Sequence, residues 1–311
     1  MADAERGAAF LDAQEAKKPK LLSLASIGNR VQALYDRGLP PGDRTGWPSV
    51  DQHYTVLPGQ FTLITGWPGS GKSEWLDAML INLCKQGWKI AMFSPENQPV
   101  ELHLTKLLEK VVGKPFGKGP TERMTKAEAD AGLKQLDQWF GFIEPPTEDA
   151  LTAQEVIEAA APFLLKSAKR GLVIDPWNEL EHWRPSNLSE TEYISKTLSY
   201  IRNWARKTGV HVWIVAHPQK MRRENGELPV PKPDMVSGSQ HWWNKADNAI
   251  AVWRDLSKPD SREVQIHVHK IRFKHVGRPG LVTLDYDRPT GRYFEQPAHV
   301  QAYAKRYAGN D

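Results

Sequence analysis

The segment that decides the fold is Phe61-Thr-Leu-Ile-Thr-Gly66-Trp-Pro-Gly-Ser-Gly71-Lys72-Ser73, a short apolar run that leads into a glycine-rich loop. It matches the pattern G-x-x-x-x-G-K-[ST] of a P-loop, which has a strand before it and a helix after it. In this motif backbone N–H groups close around phosphate oxygens, and the positive N-terminal end of the helix faces the same anion. The segment therefore predicts a nucleoside triphosphate site.

The predicted site uses the loop and the first turn of the following helix. Lys72 is expected to reach the β- and γ-phosphates, and the Ser73 hydroxyl is expected to ligate Mg²⁺. ATP or another nucleoside triphosphate, together with Mg²⁺, is thus the expected cofactor pair. The residues predicted to contact the nucleotide are Gly66, Pro68, Gly69, Ser70, Gly71, Lys72, Ser73 and Glu74.

The composition is that of an ordinary globular protein. The 311 residues are 40% hydrophobic and 25% charged, with a net charge of +4, which fits one large α/β domain with an arm or two small domains. The single cysteine excludes an intramolecular disulfide and favours a reducing compartment. No signal peptide or membrane span is expected, so we predict a soluble protein of the cytoplasm of a bacterial or phage-infected cell, with an organelle matrix as the alternative.

Strands and helices alternate along most of the chain. Strands are predicted at 61–65, 89–94, 171–175, 210–216, 248–253, 264–271 and 281–286, and long helices at 74–86, 99–112, 125–140, 152–168 and 190–207. Alternation of this kind predicts a mainly parallel sheet flanked by helices. The last three strands follow one another without helices, which predicts antiparallel strands at the C-terminal end.

The N-terminal region contains one amphipathic helix ahead of the domain. Leu24, Ile27, Val31 and Leu34 share one helical face, which either folds back on its own core or docks on a neighbouring subunit. We divide the chain into a flexible tail (1–20), this linker helix (21–44), the main α/β domain (45–295) and a C-terminal tail (296–311).

Three further predicted strands end in polar residues. Because ligands of open α/β sheets bind at the carboxyl ends of the strands, these residues are candidates for the same site. Asp175 is predicted to hold Mg²⁺ together with Ser73, Glu96 to polarise the attacking water, and His217 to sense the γ-phosphate. Glu96 is otherwise a helix N-terminal acid, and His217 an ordinary histidine at a strand end.

A late strand carries Lys270 and Arg272 at alternate positions, which predicts that both project from one face. Two adjacent cations repel unless an anion lies opposite, and a phosphate is the obvious candidate. The alternative is a solvated basic face that binds DNA or nothing.

The order of these motifs resembles the RecA-type ATPase domain of DnaB-family hexameric replicative helicases, most closely the branch that contains Twinkle and some phage primase–helicases. The resemblance covers about residues 45–295. Its most specific parts are Val215-Ala-His217-Pro-Gln-Lys220, Ser237-Gly-Ser239-Gln with Ala246-Asp247-Asn248, and Lys270-Ile-Arg272-Phe273.

This resemblance implies a role for each motif. It implies Glu96 as the catalytic base, His217 as the γ-phosphate sensor, and Lys270 and Arg272 as residues inserted into the neighbouring subunit's nucleotide site. Arg254 and Tyr286 fall where the family sandwiches the nucleotide base. The linker helix would dock on the adjacent subunit. Because the chain has no primase portion, it is either a stand-alone helicase or the helicase half of a longer protein.

The resemblance also implies single-stranded DNA as a partner, a homo-oligomeric ring of six subunits, and possible primase and loader partners. Two segments are candidates for DNA contact: the loop after His217, and Gln240–Lys245, whose tryptophans either stack on bases or pack in the core. The predicted DNA-binding residues are Lys220, Arg222, Arg223, Asn244 and Lys245. The predicted function is an ATP-driven DNA helicase. The alternatives are a RecA- or RadA-like recombination ATPase, a P-loop kinase, or a nucleotide-binding adaptor without motor activity.

Overall fold

A nine-stranded sheet forms the centre of the structure, a computed structural model that describes residues 21–145, 150–219, 228–236 and 240–296. The strand order is β3-β2-β4-β5-β1-β6-β7-β8-β9. The six strands from β3 to β6 run parallel, whereas β7, β8 and β9 continue the sheet in antiparallel pairs. The strands are β1 Phe61–Thr65, β2 Trp88–Phe93, β3 Phe140–Phe142, β4 Lys169–Ile174, β5 His211–Ala216, β6 Asn248–Trp253, β7 Glu263–Ile271, β8 Gly280–Asp287 and β9 Arg292–Glu295.

Helices cover both faces of the parallel half. They are α1 Leu24–Arg37, α2 Pro48–Asp51, α3 Lys72–Cys84, α4 Val100–Val112, α5 Lys126–Trp139, α6 Ala153–Leu164, α7 Glu190–Thr208 and α8 His241–Lys245. Single 3₁₀ turns are also present at Pro95–Asn97, Trp177–Glu179 and Pro233–Met235. The helix α7 begins with the capping box expected from its sequence, in which the side chains of Ser189 and Glu192 each bind the other's backbone N–H.

Two hydrophobic cores lie on opposite faces of the sheet. One core joins α3, α4 and α5 to the sheet, and the other joins α6 and α7 to it. Alternate strand residues divide between the two cores, as Leu63 and Ile64 of β1 do, because successive side chains of a strand point to opposite faces. Strands buried on both faces read as continuous apolar runs, which is why β1 and β5 are easy to recognise in the sequence.

The predicted fold class is confirmed. All seven predicted strands and all five predicted long helices are present, with ends that shift by at most a few residues. The largest shift is at α6, which ends at Leu164 rather than at 168. Two short edge strands, β3 and β9, were not predicted.

The N-terminal helix α1 forms as predicted, and Ser23 caps it. None of its residues is buried, and Leu24, Val31 and Leu34 are exposed. In this chain α1 therefore does not fold back on the described core. Docking of α1 on another subunit stays a prediction. The predicted tail 1–20 and all of the predicted tail 296–311 except Gln296 lie outside the described residues.

Candidate nucleotide-binding site

The P-loop lies between β1 and α3 and is held close to β6. A side chain at Gly66 would place its Cβ 2.3 Å from the carbonyl oxygen of Val252, so this position requires glycine. Gly71 has φ 90° and immediately precedes α3, which is a backbone conformation that favours glycine. These two glycines let the chain turn sharply from the sheet into the helix, so that the first N–H groups of α3 face the loop.

A cleft of about 420 Å³ opens beside the loop. It brings together Lys72, Ser73, Glu96, Asp175 and His217, which come from the ends of four neighbouring strands. The full lining is Pro68, Gly69, Gly71, Lys72, Ser73, Glu74, Asp77, Glu96, Asn97, Lys106, Asp175 and His217. Of the remaining predicted loop contacts, Gly66 and Ser70 are not part of this lining, and Ser70 is fully buried.

Ser73 and Asp175, which are predicted to hold Mg²⁺, are in contact with each other. The Ser73 hydroxyl hydrogen-bonds the Asp175 carboxylate, which is almost fully buried; burial raises the pKa of this carboxyl to about 6, and the Ser73 bond opposes that shift. Hydroxyl and carboxylate oxygens suit Mg²⁺, which usually completes its shell with water and substrate phosphates. Within the described ranges no group of three or more His, Cys, Asp or Glu side chains could hold a metal ion.

Lys72 and His217 face the same part of the cleft. Lys72 Nζ donates to the carbonyl oxygen of Trp67 at 3.2 Å, and burial lowers the pKa of this ammonium although Asp175 and Glu96 oppose the shift. His217 Nε2 lies 3.6 Å from Glu96 Oε1. Burial and the charge of Lys72 lower the pKa of His217, against the opposing effect of Glu96. His217 is therefore mainly neutral near pH 7.

Three residues of the cleft were missed by sequence reasoning. Asp77, one turn after Ser73, forms a buried pair with His103 of α4, with Oδ2 and Nε2 3.0 Å apart. Asn97 and Lys106 also line the cleft, and Lys106 Nζ donates to Asn97 Oδ1 at 3.1 Å. The i,i+4 spacing of Ser73 and Asp77 on one helical face was a usable signal for Asp77, whereas Lys106 is brought in only by the packing of α4.

Arg254 and Tyr286, the predicted base-binding residues, lie at the same end of the sheet as the P-loop. Arg254 follows the last residue of β6, and the Tyr286 ring centroid is 5.0 Å from that of Tyr293. The Tyr293 hydroxyl in turn lies 3.5 Å from the Gly71 carbonyl oxygen. Burial and Glu74 raise the pKa of Tyr286 to about 12, whereas Arg254 opposes the shift.

Lys270 and Arg272 lie at the opposite end of the sheet. Lys270 is paired with Ala249 and Ile271 with Asn248, next to the first residues of β6 and β1. The P-loop follows the last residue of β1, and four residue steps along a strand span roughly 13 Å. Within the chain Arg272 forms an ion pair with Asp247, and Lys270 Nζ donates to the Trp243 carbonyl oxygen at 2.5 Å. A phosphate opposite these two cations stays a prediction.

The predicted DNA contacts are only partly described. Lys220, Arg222 and Arg223, and the motif residues Ser237 to Ser239, lie outside the described residues. Asn244 and Lys245 are in α8, and Lys245 Nζ donates to Ser199 Oγ at 2.7 Å. The structure separates the two tryptophans of this segment, because Trp242 is fully buried against Phe61 and Trp177 whereas Trp243 is 39% exposed.

The described part of the loop after His217 is attached to the nucleotide end of the sheet. The indole N–H of Trp67 donates to the Pro229 carbonyl oxygen at 2.8 Å, and that of Trp253 donates to the Leu228 carbonyl oxygen at 3.1 Å. Trp67 belongs to the P-loop. The segment after His217 therefore contacts the nucleotide site twice, at His217 and again at Pro229.

No protein-family model matches the chain. A search of curated proteins finds "Twinkle homolog protein, chloroplastic/mitochondrial" of Arabidopsis thaliana, which is 42% identical over 299 residues. The predicted resemblance is confirmed. The alignment covers 93% of this chain but only 42% of the Twinkle homologue, so this chain spans less than half of that relative's length.

Solved structures show the same fold. The ATPase domain of G40P superposes with a TM-score of 0.75 at 16% identity, covering 89% of this chain and all of that domain. A DnaB-like replicative helicase, in a structure that concerns its interactions with primase, gives 0.71 at 16% identity, over 94% of this chain and 71% of its own. The RadB recombinase gives 0.53 at 15% identity, over 82% of this chain and 99% of its own. These likenesses establish the RecA-like fold.

Proposed function

We propose that the chain is the motor domain of a ring-forming replicative DNA helicase, which hydrolyses ATP with Mg²⁺ at subunit interfaces and translocates on single-stranded DNA. One observation carries the proposal. Lys270 and Arg272, which resemble the trans-acting pair, lie at the opposite end of the strands from the P-loop of their own chain. A nucleotide site that uses both sets of residues therefore needs two subunits.

The residues of the cleft suit phosphoryl transfer to water. Lys72 and the N-terminal end of α3 would hold the phosphates, and Ser73 with Asp175 would hold Mg²⁺, which neutralises charge that develops on them. Glu96 would orient the attacking water and accept its proton, which is the role of a general base. The neutral His217 beside Glu96 would contact the γ-phosphate and would lose this contact when the phosphate is released.

The trans contribution would come from Arg272 of the neighbouring subunit. An arginine supplied in this way stabilises charge on the transferring phosphoryl group and is worth about 10³–10⁵ in rate in other phosphoryl-transfer enzymes. Two features support a ring: the exposed apolar face of α1, which needs a partner surface, and the similarity to the Twinkle homologue. The number of subunits, six by analogy, is part of the proposal, as are the primase and loader partners.

Single-stranded DNA is the proposed track. Lys220, Arg222 and Arg223 would contact its backbone phosphates, and Asn244 and Lys245 are further candidates. The hydrogen bonds of Trp67 and Trp253 to the Leu228 and Pro229 end of this loop would link the nucleotide site to the bound DNA. Binding should then depend on salt rather than on base sequence.

In the described residues no helix has the length and hydrophobicity of a membrane span. Since the relative is chloroplastic or mitochondrial, an organelle matrix is the proposed compartment, with a bacterial cytoplasm as the alternative.

The test is steady-state ATP hydrolysis with and without single-stranded DNA, for the wild type and for Arg272→Ala. We expect DNA to stimulate the wild type, and we expect the variant to lose about 10³-fold in turnover while it still binds ATP. Turnover that ignores both DNA and Arg272 would contradict the proposal and favour a kinase or an adaptor. DNA-stimulated hydrolysis by helical filaments, seen by electron microscopy, would favour a recombination ATPase.

A further inference from the structure

Asp247 is the acidic side chain that faces the basic residues at the amino end of the parallel strands. Its side chain is 1% exposed. Oδ1 accepts a hydrogen bond from Arg206 Nη2 at 3.1 Å and forms an ion pair with Nε of Arg272. Oδ2 accepts from the backbone N–H of Phe61 at 3.1 Å. The carboxylate is thus held by the backbone of β1 and is in contact with two guanidinium groups.

The backbone around Asp247 leaves it little freedom. Its own N–H donates to the Phe61 carbonyl oxygen at 2.9 Å, so Asp247 and Phe61 bind each other through backbone and side chain. Asp247 directly precedes β6, and Phe61 begins β1. A group held in this way sits on the rigid part of the scaffold, where it can fix the position of a partner side chain.

The contact with Arg272 uses one particular nitrogen. A guanidinium carries five N–H donors, of which Nε holds one and the two terminal nitrogens hold four. Among the described residues, no hydrogen-bond or ion-pair partner contacts the terminal nitrogens of Arg272, and the side chain is 33% exposed. Within that part of the chain, the ion pair with Asp247 is formed at Nε, and the four terminal donors, which suit a phosphate, have no acceptor.

Asp247 also offsets a local excess of positive charge. Burial and the charge of Arg272 lower the pKa of Lys270, and Asp247 opposes that shift. Burial and Arg206 lower the pKa of Arg202, and Asp247 again opposes the shift. Without this carboxylate, Arg272 would be repelled by three neighbouring cations and would have no fixed partner.

We propose that Asp247 is the positioning residue of Arg272: it binds Nε so that the terminal nitrogens point toward the phosphates bound by the neighbouring subunit. This inference rests on the proposed function, because it presumes that Arg272 acts in trans. Asp247 itself touches no nucleotide. Its effect should therefore appear in the rate of hydrolysis at the neighbour's site and not in the binding of ATP.

The variant that tests this is Asp247→Asn, which keeps an oxygen for the Phe61 N–H but removes the charge. We expect its DNA-stimulated kcat to fall by about 10²-fold, the size of effect that misplacement of a reacting group produces, with KM and the Kd for ATP unchanged. In an Arg272→Ala background the same change should cause no further loss, because the two residues act as one unit. The matched control is Arg206→Ala, which removes the other Oδ1 partner and should stay close to the wild type.

A mixing experiment separates positioning from general damage. Asp247→Asn subunits keep an intact P-loop, and Lys72→Ala subunits keep an intact Asp247–Arg272 pair. Neither should hydrolyse ATP well alone, but mixed rings should regain activity at interfaces that combine the two intact halves. Mixed rings that regain nothing would show that Asp247 serves its own subunit, which overturns the inference.

Further outcomes keep the two proposals distinguishable. If Arg272→Ala is fully active, the proposed trans site fails. If Arg272→Ala is inactive but Asp247→Asn equals the wild type, only the inference fails. If Asp247→Asn does not assemble, Arg272→Lys carries the test, since a single ammonium cannot hold Asp247 and a phosphate through separate nitrogens. Full activity of Arg272→Lys would overturn the inference, and loss of kcat with retained ATP binding would support it.

Discussion

The two ends of the parallel strands differ in how complete they are. At the carboxyl end, Lys72, Ser73, Glu96, Asp175 and His217 converge on one cleft. At the amino end of the described strands, Arg206 and Arg272 are paired with the buried carboxylate of Asp247. The first end has donors and carboxylates suited to a nucleotide with its cation, and the second presents guanidinium groups. This difference is the one expected if, as proposed, each end is one half of a site that forms between copies.

The largest expected effect concerns the carboxyl end. Glu96→Gln removes the proposed base but keeps its size, so turnover should fall by about 10²–10⁴-fold while ATP binding persists. Single-turnover hydrolysis and ATP binding, measured in parallel, would check this. Unchanged turnover would mean that the cleft binds ATP without using Glu96, which would revive the adaptor function.

At the amino end, the two adjacent tryptophans provide a matched pair of variants. Trp242→Ala empties a fully buried position between Phe61 and Trp177 and should cost about 3–5 kcal/mol in free energy of unfolding. Trp243→Ala changes a partly exposed side chain and should cost about 1 kcal/mol or less. Urea denaturation would measure both. Equal losses in free energy of unfolding would contradict the observed difference in burial between the two tryptophans. If only Trp243→Ala weakens DNA binding, Trp243 is the tryptophan that stacks on bases.

A smaller effect should follow pH at the buried pair of His103 and Asp77. Burial alone lowers the pKa of His103, but the charge and hydrogen bond of Asp77 raise it above its ordinary value of 6.5 overall. A raised folded-state pKa contributes stability that is fully present below pH 6.5 and is lost as the pH rises through the folded-state value. His103→Gln should therefore destabilise the protein more at pH 6 than at pH 9. Denaturation of both proteins at the two pH values would test this, and an equal or opposite difference would show that the pair is not ionised.

Most of the fold followed from the sequence because its strands are buried on both faces. Continuous apolar runs mark β1 and β5, and long amphipathic stretches mark α4 and α7. The strands β3 and β9 have only three and four residues, too few for periodicity to be visible. They exist because neighbouring strands offer them hydrogen bonds, which is a property of the assembled sheet.

The candidate site was predictable where chemistry follows directly after a strand. Glu96, Asp175 and His217 each stand at a strand's carboxyl end, and topology brings these ends together. Asp247 was seen only as part of a motif, because its role depends on contacts with Phe61, Arg206 and Arg272, which are far apart in sequence. A phosphate opposite Arg272 stays a prediction, and periodicity could not reveal that a buried carboxylate of the same chain also pairs with this arginine.

The most direct test of a shared site is a mixture of Lys72→Ala and Arg272→Ala subunits, assayed for DNA-stimulated ATP hydrolysis. Each variant alone should be inactive, because Lys72→Ala is defective at the carboxyl end of the strands and Arg272→Ala at the amino end. In a mixed ring with head-to-tail contacts, roughly one interface in four joins the two intact halves, so activity should return to the mixture. If mixed rings form and remain inactive, both halves belong to one subunit, and the composite site is contradicted.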